Sequence, residues 1–504
     1  GSPAGSPRAE TGLPRSGPPS DAGGSSELLG EAEDLLLDRS DALDRPVAPP
    51  TADEVGAEDV NDLLNDRDDL LAPGAAPRES LPAPQQPPAT TPAPGHPLEP
   101  LPPATADAGG RTPSTPTRAQ CALWAEEQYP SAETCRTCHE KIYEEWSVSG
   151  HAYAAISPMF HRFEQTIHKL THGTIGYFCY RCHSPVGTAL CIPRDVPLWD
   201  APQVAREGVT CVACHRVNEQ YGKTNGERRI VPGDVYDPVY GSIGGSGIAQ
   251  AIAEKNKFKV KASPDEKGPG QPIHRAGICF PQLHKSEFCT SCHQVAVHPG
   301  IKLEVVWEQY RASPACKKGI SCQDCHMGRI PGVPSGYEVG PAAVVNKKVV
   351  HPQRKHANHV FYGPGYSIAH PGIFPWNPDA KRWTMREWLQ FDWRAGWGSD
   401  AFEDAVEAGQ IHVSFPKTWD NVDDRYDARE IIEANQKKLA HKRHLRLQVF
   451  ENSSHVDGPF FKDQPSVGRN LRLHYEIVNS NEGHNLPTAS LGAQPQFWAN
   501  VVLI

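Results

Sequence analysis

The chain has 504 residues, with 60 Asp and Glu against 50 Lys and Arg, a formal net charge of −10, 14 cysteines and only 38% hydrophobic residues. That balance gives no support to a nucleic-acid partner, and no apolar run approaches the length of a membrane span. The acidity is uneven. Residues 1–118 hold 20 Asp and Glu against 8 Arg, net −12, while residues 119–504 hold 40 acids against 42 bases, net +2.

Residues 1–118 also contain 22 of the 49 prolines, no aromatic residue and no cysteine. Such a composition buries too little apolar surface to offset the entropy of ordering, so a disordered acidic arm is expected. Within it, EAEDLLLDRSDALD (31–44) and EDVNDLLNDRDDLL (58–71) place leucine at helical spacing. They read either as transient helices that dock on a partner or as a solvated acidic tether. The Pro-rich stretch 72–118 reads as a semi-rigid spacer.

Residues 119–376 carry five Cys-x-x-Cys-His pentapeptides: Cys135, Cys138 and His139; Cys179, Cys182 and His183; Cys211, Cys214 and His215; Cys289, Cys292 and His293; Cys322, Cys325 and His326. Two thiols at this spacing can each add to a vinyl group of one haem, and the adjoining histidine can then bind its iron. Paired cysteines also suit structural zinc, but zinc does not account for five histidines in register. Five covalently bound c-type haems are the expected cofactors. The first cysteines are 44, 32, 78 and 33 residues apart, too irregular for a fixed repeat. Between the motifs run loops such as GTIGYF and YGSIGGSG and short helical stretches such as CHEKIYEEW, so haem is expected to supply much of the core.

Haem is attached to such motifs outside the cytoplasm. An extracytoplasmic location, periplasm or cell surface, is therefore expected, with a signal peptide removed. The remaining cysteines, Cys121, Cys191, Cys279 and Cys316, fit two disulfides with three connectivities, Cys121–Cys191 with Cys279–Cys316 being one, or else buried thiols.

Residues 377–445 begin with a dense set of tryptophans, Trp383, Trp388, Trp393, Trp397 and Trp419, expected to pack as core. The stretch YDAREIIEANQKKLAHKRH, from Tyr426, reads as an amphipathic helix. Residues 446–504 read as a small, sandwich-like β module: HLRLQVF, LRLHYEIVN and QFWANVVLI alternate as strands, with SHVDGPF and NSNEGHN as turns. Three strands leave a sandwich incomplete, so either a minimal module or a longer native sequence is expected. The fold class is thus a mostly α and irregular domain with few regular elements, followed by a small β module.

Several phrases here resemble the bacterial multihaem cytochromes c, a family that includes tetrahaem electron carriers and octahaem tetrathionate and hydroxylamine enzymes. They are WSVSGHAYA, FCYRCHSPVG, EGVTCVACH, SEFCTSCHQV, ISCQDCHM, NHVFYGPG and EGHNLPT. The resemblance covers about 121–500 and implies a haem-packing domain with a C-terminal β module that contributes a histidine. It also points to the second iron ligands: His151, His172 with His168 as an equal alternative, His284 with His274 as rival, His359 over His356, and His484. Methionine is too scarce to serve, since only Met159, Met327 and Met385 are present, whereas 18 histidines remain beyond the five in the motifs.

Five candidates for five irons favour bis-histidine ligation and electron transfer with protein redox partners. Two other classes stay open. One is an oxidoreductase with a five-coordinate haem acting on a small nitrogen or sulfur oxyanion, with His298, Lys285 or Tyr310 as acid or base. The other is a subunit of a larger haem assembly docked through the acidic arm, for which oligomers would be expected.

Overall fold

The structure is a computed structural model and describes residues 125, 127–193, 196–219, 224–297 and 301–488. Expectations for the acidic arm, Cys121, His298 and the strand at 496–504 lie outside those residues. The described residues fall in one compact unit, 106–504, built of short helices and loops with small, separate two-stranded sheets. None of their helices is long and apolar enough to cross a membrane.

The motifs sit on single helical turns. Helix α1 (Ala132–Arg136) starts at Ser131, whose Oγ accepts from the Thr134 N–H, and carries Cys135. The next turn, closed by the His139 N–H donating to the Cys135 carbonyl at 3.0 Å, brings Cys138 and His139 to the start of α2 (Glu140–Ser147). Then come α3 (Gly150–Tyr153) with His151, α4 (Pro158–Leu170) with His161 and His168, and α5 (Tyr180–His183). The later motifs lie on α6 (Cys211–His215), α7 (Thr290–His293) and α10 (Cys322–His326). A helical turn puts positions i and i+3 on one face, so both thiols of a motif can meet one flat ligand. Motif 5 is locked by a capping box: the Ser321 N–H donates to Asp324 Oδ2 at 2.8 Å, while the Asp324 N–H donates back to Ser321 Oγ.

The strands between and just after the motifs are two to four residues long. Parallel pairs join β1 (Val239–Gly241) to β4 (Gly277–Cys279) and β2 (Val260–Lys261) to β3 (Gln271–Pro272). Antiparallel pairs join β5 (Val295–Val297) to β6 (Ile301–Glu304), β7 (Glu338–Gly340) to β10 (Arg354–His356), and β8 (Ala343–Val345) to β9 (Lys348–Val350). Their role is to hold loops at the motifs. The Val344 N–H donates to the Cys138 carbonyl, for example, and the Ala342 carbonyl faces His139. Helices α8 (Val306–Ala312) and α9 (Pro314–Lys317) precede motif 5.

The tryptophans form the largest apolar cluster. Trp419, fully buried, lies 4.9 Å from Trp383, 5.6 Å from Trp388 and 4.7 Å from Phe391, ring centre to ring centre. Its indole donates to the Glu387 carbonyl, and that of Trp388 to the Ala380 carbonyl, so neither buried N–H lacks a partner. Gly372 is required here, because a Cβ would fall 2.0 Å from the Trp388 ring. The same cluster includes Tyr143 and Trp146 of α2 and Ala428 and Ile432 of a long helix, α11 (Val422–Ser453).

Two expectations for the C-terminal region are corrected. HLRLQVF is the last part of α11, not a strand: Leu445 and Val449, four residues apart, pack against Val148, Val360 and Tyr362, while Leu447 between them is exposed. SHVDGPF is not a turn but most of β11 (Ser454–Phe461), with a register shift between Asp457 and Phe460 where Gly458 and Pro459 interrupt the ladder. LRLHYEIVN does contain a strand, β12 (Leu473–Asn479). Among the described residues the β module is this two-stranded hairpin rather than a sandwich.

Candidate metal centres

Four of the five motif histidines share one feature. The Nδ1–H of His139 donates to the Ala342 carbonyl at 3.1 Å, that of His183 to Ala154 at 3.0 Å, that of His215 to Tyr240 at 2.7 Å and that of His326 to Tyr362 at 2.5 Å. A carbonyl on Nδ1 fixes the tautomer and leaves Nε2 unprotonated for a metal. Burial holds all four below the ordinary imidazole range, and pushes His293 down to about 4. These are neutral imidazoles, the form that binds iron.

Four of the motif histidines face a second histidine. Ring centres are 6.5 Å apart for His139 and His274, 6.5 Å for His215 and His359, 6.3 Å for His293 and His151, and 6.1 Å for His326 and His484. A metal–imidazole bond of about 2.0 Å, with the ring centre about 1.1 Å behind the bonding nitrogen, puts two rings that share one metal about 6.2 Å apart. Direct stacking would bring them closer. The pairs link distant parts of the chain, and burial pushes His151 and His359 down to about 3 and His274 to about 4.

Loops and caps aim the opposing rings. His151 follows Ser149, whose Oγ accepts from the Ala152 N–H. His359 donates Nδ1–H to the Ala357 carbonyl, and its backbone N–H is held by Glu145 of α2 at 2.9 Å. The other oxygen of that carboxylate receives His356 Nε2 at 2.7 Å, so His356 clamps the loop while His359 faces His215. His484 donates Nδ1–H to Asn485 O in a turn pinned by Asn481 Oδ1, which accepts from the Gly483 and His484 N–H groups.

His284 and His172 lie elsewhere. His284 is exposed and donates Nε2–H to the Ser242 carbonyl, whereas His274 holds the position opposite His139. His172 is exposed just past α4. At motif 2, His183 is stacked on Phe160 at 4.3 Å, with no histidine ring paired to it among the described residues. His161, not singled out from the sequence, lies nearby on α4 with a buried, unpartnered Nε2, and burial pushes it down to about 4. His168 has a buried, unpartnered Nδ1 on the same helix. Of the residues considered as acid or base, Tyr310 donates to the Ile320 carbonyl and Lys285 is exposed.

Thiols of different motifs touch. Cys135 lies beside Cys211, Cys182 beside Cys292, and Cys289 beside Cys322. Motif 1 therefore abuts motif 3, and motif 4 abuts both motif 2 and motif 5. The spare cysteines Cys191, Cys279 and Cys316 are unbonded.

Thiol pairs on helical turns, fixed neutral imidazoles and rings one metal apart together fit covalently attached haem, the cofactor arrangement of c-type cytochromes. In agreement, residues 134–216, which include motifs 1 to 3, match the model of the family described as cytochrome c554 and c-prime. This supports a multihaem cytochrome c. Among solved structures, the penta-heme cytochrome c552 from Thermochromatium tepidum is similar at 23% identity, covering 49% of this chain and 59% of that one, with a TM-score of 0.31. The chain thus spans about three fifths of that structure's length. No curated protein matches the chain.

Proposed function

We propose that the chain is an extracytoplasmic electron carrier with five c-type haems, held by thioether bonds from Cys135 and Cys138, Cys179 and Cys182, Cys211 and Cys214, Cys289 and Cys292, and Cys322 and Cys325. Four irons lie between histidine pairs: His139 with His274, His215 with His359, His293 with His151, and His326 with His484. His183 binds the fifth. The single observation that carries this reading is the spacing of the four ring pairs, 6.1–6.5 Å. When bound, haem would supply one-electron exchange, and at the four paired irons two strong protein ligands would leave no position for substrate.

The chain's residues do the rest. Backbone carbonyls hold the motif imidazoles in the ligating tautomer, burial keeps them neutral, and the touching thiols bring attachment points of successive cofactors together. Those contacts join motif 1 to motif 3, and motif 4 to both motif 2 and motif 5. Donor and acceptor are redox proteins.

A second reading belongs to motif 2 alone. Next to it is a cavity of about 430 Å³ lined by Arg181, Arg228 and Arg229 as well as Glu219 and Glu227, which suits a small oxyanion at an open iron. The test is intact mass of the mature chain together with electron paramagnetic resonance of its ferric form. Five added haems are expected, with low-spin signals from the four irons held by histidine pairs. Fewer than five would remove at least one motif from the assignment, and a stoichiometric high-spin signal that nitrite or hydroxylamine perturbs would turn the carrier into an enzyme.

A further inference from the structure

Residues 224–230 form a strap threaded between three of the motifs. Gly226, at φ +68°, passes so close to motif 2 that a Cβ would fall 2.5 Å from Arg181 Cβ and 3.0 Å from Cys182 Sγ. Its N–H donates to the Ser291 carbonyl of motif 4 at 2.5 Å, and the neighbouring Asn225 N–H donates to Gln294 O. Two residues on, the Arg228 side chain reaches motifs 3 and 4 together. Its Nη1 donates to Ala213 O at 3.3 Å and to Cys214 Sγ at 3.9 Å; its Nη2 donates to Ser291 Oγ at 2.6 Å and to Phe288 O at 2.5 Å. The guanidinium carbon lies 4.2 Å from the centre of the Phe288 ring.

All four hydrogen-bond partners are neutral, and Nε is buried without a partner among the described residues. Of the carboxylates lining the strap's cavity, Glu219 pairs with Arg229 at 3.6 Å. An arginine keeps its charge at every pH a protein survives. A full positive charge therefore stands where the attachment sites of motifs 3 and 4 meet.

We propose that Arg228 raises the reduction potentials of the haems of motifs 3 and 4, making that junction a place where an entering electron rests. The proposal depends on the haem assignments above. One electron from a redox partner converts ferric to ferrous iron, with no bond formed or broken, and lowers the positive charge of the centre by one. A nearby cation favours that form. With an effective dielectric of about 20 over about 10 Å, the bias is about tenfold in the oxidised-to-reduced ratio.

The test is a spectroelectrochemical titration of the full, haem-loaded chain, its haem content first fixed by intact mass. Arg228→Met is expected to move two of the five one-electron transitions to lower potential by about 59 mV, the tenfold bias converted for a one-electron couple, and to leave three in place. Arg228→Lys, which keeps the charge but not the planar fork, should move them by less than half as much. Equal shifts in both variants would show that the side chain acts by packing. Five unmoved transitions in the methionine variant would show that it does not act on potential at all, and either result overturns the proposal. If the methionine variant matures with fewer than five haems, Arg228→Gln takes its place in the same comparison. A wild-type chain with fewer than five haems would instead overturn the assignment on which the proposal rests.

Discussion

Ten residues separate His274 from His284, and the local sequence does not rank them. His284 stands just before motif 4, where proximity favours it, yet its ring is exposed and held by the Ser242 carbonyl. His274 comes just after the short strand β3 and crosses to motif 1, 135 positions back in the chain. That reach comes from the β2–β3 pairing and the buried Ile273 beside it, which no local spacing encodes. His359, His484 and His151 stood out in the sequence because their phrases are distinctive, and each has its ring opposite a motif histidine. On the proposed ligation, His274→Ala converts one low-spin haem to high-spin while His284→Ala converts none; resonance spectra showing the reverse would exchange the two assignments. Lys442 makes a different point. It is 6% exposed, with Nζ 3.5 Å from the Val360 carbonyl, and burial pushes it down to about 8. Its ordinary value is about 10.4, so between these two pH values the unfolded chain binds more protons and stability rises with pH. Below pH 8 the whole cost of the buried charge is present, at most about 3 kcal/mol. Lys442→Met is therefore expected to stabilise the chain at pH 7, with the gain shrinking as pH rises from 8 to above 10. Urea unfolding monitored by far-ultraviolet circular dichroism at both ends of that range checks it, and a gain that does not depend on pH would exclude the charge as its cause.

At the scale of elements, the helix α11 shows why an alternating pattern can mislead. Leu445, Leu447 and Val449 alternate as a strand would, but the first and last also stand four apart, and that pair finds a buried partner surface. The surrounding Lys, Arg and Gln favour helix as well. The beginning of α11 is anchored differently. Arg425 meets Glu403 through two hydrogen bonds, one of 2.9 Å from Nε to Oε1 and one of 2.5 Å from Nη2 to Oε2, with both side chains about 95% buried. The guanidinium also lies 3.7 Å above the Phe415 ring and donates to the Trp419 carbonyl. The pair thus fastens α11 to the tryptophan cluster. Removing one partner strands the other charge, at a cost of about 3–5 kcal/mol, whereas replacing both by apolar groups can be neutral. Arg425→Met should lower the urea midpoint strongly, and adding Glu403→Leu should recover much of the loss. A double variant no better than the single one would mean that the arginine's bonds to the backbone matter more than its carboxylate.

For the whole molecule, the motifs were legible and their arrangement was not, because contacts such as Cys182 with Cys292, 110 positions apart, depend on how the intervening chain closes. The same holds for the C-terminal hairpin, whose attachment no strand pattern reveals. Strands β11 and β12 leave Val456, Phe460, Phe461 and Ile477 exposed, and a lone two-stranded hairpin is marginal in water. Residues 482–488, just beyond β12, fasten it to the helices around motif 5. Glu482 accepts from the Ala315 N–H and pairs with Lys318 at 2.6 Å, Gln309 Oε1 accepts from Asn485 N and Thr488 Oγ1, and His484 faces His326. The Lys318–Glu482 pair is half-exposed and contributes less than about 1 kcal/mol. A coordinate bond from His484 to iron would tie the segment far more firmly. In the haem-loaded chain, His484→Ala is therefore expected to speed amide hydrogen exchange across residues 473–488 and to create one high-spin iron, while Lys318→Glu changes exchange only slightly and the spin state not at all. If the charge reversal loosened the segment as much as the loss of the imidazole, its anchor would be the surface pair and Gln309, and His484 would have no claim on the metal.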